Sequence, residues 1–168
     1  AAAGTLNATA VVFATGATGT VNFNHTSTNY EFAAGIQGTG PGTVNFLSGT
    51  TILTGNNTYA GTTNISAGAT AQFGNRGTNG GSNGLISGDV TNNGAMIVNL
   101  AALSTTYGGV ISGSGTFEQA GTGTLSLTGT NTFSGSTKVS SGTLQLGNNT
   151  TTGSVAGNIE NNSHLSFY

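Results

Sequence analysis

An internal repeat constrains this 168-residue chain more than any other feature. Thr54-Gly55-Asn56-Asn57-Thr58-Tyr59-Ala60-Gly61-Thr62-Thr63-Asn64-Ile65-Ser66-Ala67-Gly68 recurs as Thr128-Gly129-Thr130-Asn131-Thr132-Phe133-Ser134-Gly135-Ser136-Thr137-Lys138-Val139-Ser140-Ser141-Gly142, at an offset of 74. The match continues as Ala71-Gln72-Phe73-Gly74-Asn75 against Leu144-Gln145-Leu146-Gly147-Asn148, at an offset of 73. It resumes as Gly88-Asp89-Val90-Thr91-Asn92-Asn93 against Gly157-Asn158-Ile159-Glu160-Asn161-Asn162, at an offset of 69. Upstream, Gly35-Ile36-Gln37-Gly38-Thr39-Gly40 echoes Val110-Ile111-Ser112-Gly113-Ser114-Gly115. The units run over about 35–100 and 109–168, inside a single domain spanning 1–168. The length changes fall in the Gly/Asn/Ser stretch 76–87, as a surface loop allows.

Within each unit the apolar residues alternate over short runs and then break at Gly or Asn. Val21/Phe23, Tyr30/Phe32, Val44/Phe46, Leu125/Leu127, Leu144/Leu146, Leu165/Phe167 and Met96/Val98/Leu100 all read as strands. Their apolar face turns to a core, and Thr, Ser, Asn or Gln turns outward. Asn93-Gly94 and the Gly-Thr-Gly clusters are turn signals. Little or no α-helix is expected, because Gly, Thr, Asn and Ser are poor helix-interior residues and fill more than half the chain. Short strands with a long repeat favour a parallel β-helix over a sandwich or barrel. Roughly 20–24 residues per coil predicts about three coils per unit. The whole chain then holds about seven or eight, a rod of roughly 35 Å at the ~4.8 Å strand spacing.

Charge narrows the function. Only 4% of residues are charged, and the two cations are Arg76 and Lys138. Nucleic acid is excluded as a partner, since no basic stripe exists to neutralise phosphates. No apolar run reaches the ~20 residues of a membrane helix. With no Cys there are neither disulfides nor thiolate metal sites. The chain begins at Ala1 without a signal-peptide pattern, so it reads as a mature or excised piece.

The run Leu127-Thr128-Gly129-Thr130-Asn131-Thr132-Phe133-Ser134-Gly135-Ser136-Thr137-Lys138-Val139-Ser140-Ser141-Gly142-Thr143-Leu144-Gln145-Leu146-Gly147 resembles the passenger repeat of bacterial autotransporters. Gly109–Leu127 resembles the stretch that precedes that repeat. The residues carrying the motif are Gly55, Asn57, Thr58, Tyr59, Gly61, Thr63, Ile65 and Gly68 in the first copy. In the second they are Gly129, Asn131, Thr132, Phe133, Gly135, Thr137, Val139, Gly142, Leu144 and Leu146. The first copy departs from the pattern: Gly68-Ala69-Thr70-Ala71 is one residue longer and lacks the Leu. Residues 1–34 match in composition only. The resemblance implies an extracellular or cell-surface passenger segment folded as a right-handed parallel β-helix. It also implies a parent chain with a C-terminal outer-membrane β-barrel, the segment itself not being membrane-inserted.

Catalysis on such a scaffold needs paired carboxylates, or a carboxylate with a cation. The acids are Glu31, Asp89, Glu118 and Glu160. Asp89 aligns with Asn158 and Glu160 with Thr91, so the repeat preserves neither. Glu118 and Glu160 fall about two coils apart, ~10 Å on one face, and are otherwise solvated surface residues. His25 and His164 have no ligand at metal spacing and read as surface side chains, so no metal or cofactor is expected. Gly80-Gly81-Ser82-Asn83-Gly84-Leu85 resembles a calcium β-roll repeat but lacks its Asp. Tyr59 and Phe133 pack at a coil corner or edge, with a carbohydrate platform as the alternative.

What remains is the outward Thr/Ser/Asn surface, where no like charges oppose close approach. The function expected is non-catalytic adhesion or self-association. The partners expected are a second copy, lateral or end to end, a host or abiotic surface, or a glycan. A stalk that presents another domain is the alternative, and an ice-binding face is weaker because Thr50-Thr51 and Thr124-x-x-x-Thr128 do not form one regular array.

Overall fold

A computed structural model describes residues 1–76, 84–101 and 104–168. Its regular elements are strands, every pairing is parallel, and no helix occurs among the described residues. The chain is a β-solenoid of about seven turns. Paired residues lie from 19 (Val44 and Thr63) to 27 (Thr63 and Val90) positions apart, one coil in each case. The longest coil is the one containing 77–83.

Three faces wrap the rod. The first is a seven-stranded sheet with one strand from each coil: β3 (Tyr30–Phe32), β6 (Thr50–Leu53), β8 (Thr70–Phe73), β10 (Ala95–Val98), β13 (Thr116–Gln119), β15 (Thr137–Val139) and β17 (Ile159–Asn161). The second has five strands: β2 (Thr20–Asn24), β5 (Thr43–Ser48), β7 (Thr62–Ile65), β9 (Val90–Asn92) and β12 (Ile111–Ser112). Beyond β12 the stacking continues through the Thr132 amide on the Ile111 carbonyl, 2.9 Å, and the parallel bridge Thr130–Ser154. Chain order puts two sheets on the third face. β1 (Ala10–Phe13) pairs β4 (Gly35–Gly38) at one end. At the other stand β11 (Ser104–Tyr107), β14 (Thr124–Leu127), β16 (Thr143–Leu146) and β18 (His164–Phe167).

Alternation explains the core. Phe23, Val44, Phe46, Met96, Val98, Leu100, Leu125, Leu127, Leu144 and Leu146 all point inward and are buried. Each such side chain is worth ~1.5–3 kcal/mol of transfer free energy. Phe23 stacks on Phe46 of the next coil, with ring centroids 5.1 Å apart and planes 16° apart. At the last coil, Leu165 is half-buried and Phe167 is 71% exposed, because β18 ends its sheet.

The rule of polar side chains outward has exceptions that build the fold. Asn57, Asn131, Thr63, Thr137, Asn92 and Gln119 are buried. His25 is corrected from a surface residue to a buried one: it is 3% exposed. Its Nε2 lies 2.9 Å from Thr51 Oγ1, and its ring meets Tyr30 edge-on at 5.1 Å. The ring fits because Gly49, at φ 76°, has no Cβ where His25 Nδ1 sits. His164 is exposed, as alternation places it.

The two motif copies lie on different faces. In the first, β7 is on the five-stranded sheet and β8 on the seven-stranded one. In the second, the equivalent β15 is on the seven-stranded sheet and β16 on the third face. Leu53, Phe73, Val98 and Gln119 mark three turns on one sheet before the equivalent Leu127 appears on the next face. The repeat therefore advances by three coils and one face.

Candidate functional site

The motif residues form a set of joints between coils. Asn57 Oδ1 accepts from the Ile36 amide of the coil below, 2.9 Å, and its Nδ2 donates to the Gly84 carbonyl above, 2.7 Å. Asn131 repeats this with the Ile111 amide at 2.8 Å and the Ser154 carbonyl at 2.9 Å. In both copies the same Nδ2 also reaches the carbonyl two residues back, Gly55 or Gly129. Here the chain leaves ladder geometry, and a buried amide supplies the donor and acceptors that the backbone would otherwise lack. The aromatic two positions on, Tyr59 or Phe133, is 0% exposed in each copy. That burial leaves no ring face for a sugar.

Gly61 and Gly135 complete the corner. A Cβ at either would collide with a backbone carbonyl of the coil below, Gly42 or Gly115, so the close approach needs glycine. Gly68 and Gly142 turn the chain at φ 81° and 61°. The first copy's extra residue is Ala69, whose amide closes a turn onto Ser66 at 3.0 Å. Ala71 then occupies the inward position that Leu144 takes in the second copy.

The copies differ in one buried contact. Tyr59 Oη and Thr63 Oγ1 are 2.6 Å apart. In the second copy the aromatic is Phe133, and Thr137 Oγ1 has no partner among the described residues. Burial pushes the Tyr59 hydroxyl up to about 12, although the Thr63 bond opposes this. Tyr107, which donates to the Gly88 carbonyl at 2.6 Å, is also raised. Burial is the main cause there, followed by the Asp89 carboxylate and Tyr59.

Charge collects on one face. Glu31, Glu118, Lys138 and Glu160 all belong to the seven-stranded sheet. Register places them at a single outward position, in the row Glu31, Ile52, Gln72, Ile97, Glu118, Lys138, Glu160. Glu118 and Glu160 thus share one face two coils apart, with Lys138 between them. Lys138 Nζ lies 3.7 Å from Glu160, and Glu118 accepts from Ser140 Oγ at 2.5 Å. The two other charged residues tie coils together at corners. Arg76 donates to Asn99 Oδ1 and the Ala120 carbonyl, and Asp89 accepts from the Val110 amide.

A cleft of about 270 Å³ at the first coil is lined by Leu6, Val11, Val21, Phe23, Phe32 and His25 among others. No carboxylate lines it. In the glycine-rich stretch 80–85 that resembles a calcium repeat, residues 80–83 lie outside the described residues.

The opposite character holds on the five-stranded sheet. Thr20, Thr43 and Thr62 stack in register, and so do Asn22, Asn45 and Asn64. Asn64 Nδ2 donates to Asn45 Oδ1 and Asn45 Nδ2 to Asn22 Oδ1, both at 2.8 Å. No strand of this sheet carries a charged residue. Sequence reasoning passed over this ladder, which had a signal: Thr-Val-Asn-Phe occurs at 20–23 and again at 43–46.

Comparison with known proteins bears on these joints. The passenger-associated-transport-repeat family matches residues 48–70 and 117–146, which take in motif residues of both copies. The adhesin BmaC autotransporter of Brucella suis biovar 1 (strain 1330) is 42% identical over 101 residues. That alignment covers 53% of this chain and 3% of the Brucella protein, so the chain spans a small fraction of that relative's length. No solved structure matches the chain significantly. With the motif residues built into the coil joints and the family matched at both copies, the chain carries autotransporter passenger repeats.

Proposed function

We propose that this chain is a non-catalytic segment of an adhesin-type autotransporter passenger. It acts at the cell surface, in adhesion or self-association through its uncharged lateral faces. The observation that carries the reading is the segregation of charge. Four of the six charged residues share one row of the seven-stranded sheet, while the strands of the five-stranded sheet carry none. A neutral face of hydroxyls and amides permits close approach without like-charge repulsion and spreads affinity over many weak contacts. The similarity to a protein named as an adhesin supports the same role. The non-catalytic part is supported by the row geometry: Lys138 stands between Glu118 and Glu160, occupying the span an acid–base pair would need for substrate and water.

The test is in-frame replacement of this segment, in its displayed parent, by an unrelated β-solenoid of equal length. Loss of cell clumping and of surface binding is expected. Retention of both would make the segment a spacer, the role that a stacked rod of seven coils also suits.

A further inference from the structure

We propose that His25 is an acid-sensitive latch on the first coil. Neutral, it holds β2 and β3 against the coil that follows, and protonation releases them. The latch concerns how the fold responds to pH and is independent of the adhesive reading.

A bulge sets the latch. β2 and β5 run in register as far as Phe23 and Phe46, and the next pair is Asn24 and Ser48, so Leu47 is an extra residue. The shift brings His25 beside Gly49, where a Cβ would collide with Nδ1. Ser48 Oγ of β5 reaches the His25 carbonyl at 2.8 Å and Asn24 Oδ1 at 2.9 Å. His25 Nε2 lies 2.9 Å from the buried Thr51 Oγ1 of β6. One residue of the first coil thus grips two strands of the second.

That grip suits a neutral ring. Neutral imidazole has one N–H and one bare nitrogen. The Thr51 hydroxyl serves Nε2, and Nδ1 is buried with no partner among the described residues. Protonation makes both nitrogens donors. Nδ1 would then be a buried N–H without an acceptor, on a ring holding its charge out of water, and opening the coil relieves both costs. The surroundings do not offset the charge. Tyr30 of β3, edge-on at 5.1 Å, brings a phenol rather than a carboxylate. Glu31 turns outward and accepts from Thr54 Oγ1 at 3.0 Å. Ser48, Gly49 and Thr51 do not titrate. The Ala1 carbonyl takes the Thr26 amide at 2.9 Å, which brings the positive α-amino group of the chain to this side of the coil.

The first coil is also the one most easily released. β2 and β3 each end their sheet, and the cleft of about 270 Å³ along Phe23 and Phe32 gives water a way to His25. Release bares Phe46, on which Phe23 stacks, and the edges of β5 and β6. A released coil takes its proton near the ordinary histidine value of ~6.5, so closure holds above that pH and weakens as pH falls below it.

Hydrogen exchange of the full chain between pH 7 and pH 5 tests the latch. The Thr43 and Thr50 amides of the second coil donate to the Gly19 and Ser27 carbonyls of the first, both at 2.8 Å. Their protection factors should fall about tenfold or more over that range, as one bound proton requires. The Thr143 amide, 3.0 Å from the Gly123 carbonyl, reports a distant coil and should hold its protection. His25→Phe and His25→Gln should each level the fall at Thr43 and Thr50, whatever protection each variant retains. His164→Gln, at the second of the two histidines, should leave the fall in place, and so should acetylation of the α-amino group. Level protection in the wild-type chain would overturn the proposal. So would a fall that survives both His25 variants, or one that acetylation abolishes.

Discussion

The same substitution should change stability in opposite directions at the two equivalent threonines. Thr63 and Thr137 occupy matching positions of the motif, and both are 0% exposed. Thr63 Oγ1 is satisfied by Tyr59 Oη at 2.6 Å, and Thr137 Oγ1 has no partner among the described residues, because Phe133 replaces the tyrosine. Thr→Val keeps shape and removes the hydroxyl. At 63 it orphans the buried Tyr59 oxygen, which costs about 1–3 kcal/mol. At 137 it deletes an unpaired buried hydroxyl and adds a methyl, which gains about 1 kcal/mol. The two variants should therefore differ by roughly 2–4 kcal/mol despite identical chemistry. Urea unfolding followed by circular dichroism reads this as midpoints displaced to either side of wild type at constant slope. Near this chain length, about 1 kcal/mol also moves Tm by ~2–4 °C. Phe133→Tyr is the complement: it restores the missing partner and should stabilise by about 1 kcal/mol if the hydroxyl fits without overpacking. Equal losses from Thr63→Val and Thr137→Val would refute the reasoning, since Thr137 would then be satisfied as well as Thr63.

Asn131→Ala and Asn57→Ala should each cost about 3 kcal/mol or more, because each leaves a buried Ile111 or Ile36 amide and two carbonyls without the side chain that joins them; hydrogen exchange at Ile111 and Ile36 amides should accelerate in the respective variant. Gly61→Ala and Gly135→Ala should separate adjacent coils and lower Tm by far more than Gly4→Ala, where nothing lies near the added methyl. Alkaline stability should follow Tyr59: its hydroxyl is raised from 10 to about 12 by burial, so the contribution is intact below pH 10 and lost as pH climbs through 12. That rise amounts to about 3 kcal/mol, and Tyr59→Phe should flatten that part of the unfolding profile measured in urea between pH 9 and 12. Lys138→Ala should change stability by under about 0.5 kcal/mol, since the 3.7 Å pair with Glu160 is largely solvated.

The fold was legible because its signals are local and repeated. Period-two pairs such as Leu144/Leu146 fix which side of a strand is buried, and the long repeat favours a solenoid over sandwiches and barrels. Asn57 and Tyr59 were legible as motif residues but not as what they are. Nothing in a linear pattern says that Asn57 faces inward to serve the Ile36 amide, since an Asn beside Asn and Thr reads as a turn. His25 failed for a related reason. It follows the alternating strand Thr20–Asn24, and only the bare Gly49 of the next coil creates the room that buries it. The charged row was half legible: two coils between Glu118 and Glu160 follow from spacing, but the intervening Lys138 requires the register. The Thr-x-Asn ladder was written as an identical tetrapeptide one coil apart, and the longer 74-residue repeat hid it.

That longer repeat bears on where any lateral surface can lie. Because it advances by three coils and one face, residues at equivalent motif positions do not stack. Asn64 and Lys138 are equivalent, yet Asn64 tops the amide ladder on the five-stranded sheet and Lys138 sits among glutamates on the seven-stranded one. A surface built from motif positions would wind around the rod and present only one copy to a flat partner. A straight surface needs a second, shorter periodicity equal to one coil, and the pairs at 20–22, 43–45 and 62–64 supply it. The two periodicities therefore do different work. The long one recurs in buried residues, Asn, aromatic, Thr and Gly, that join coil to coil and tolerate rotation because every face has the same core behind it. The short one recurs in exposed residues, where only straight alignment along the rod lets identical side chains act together.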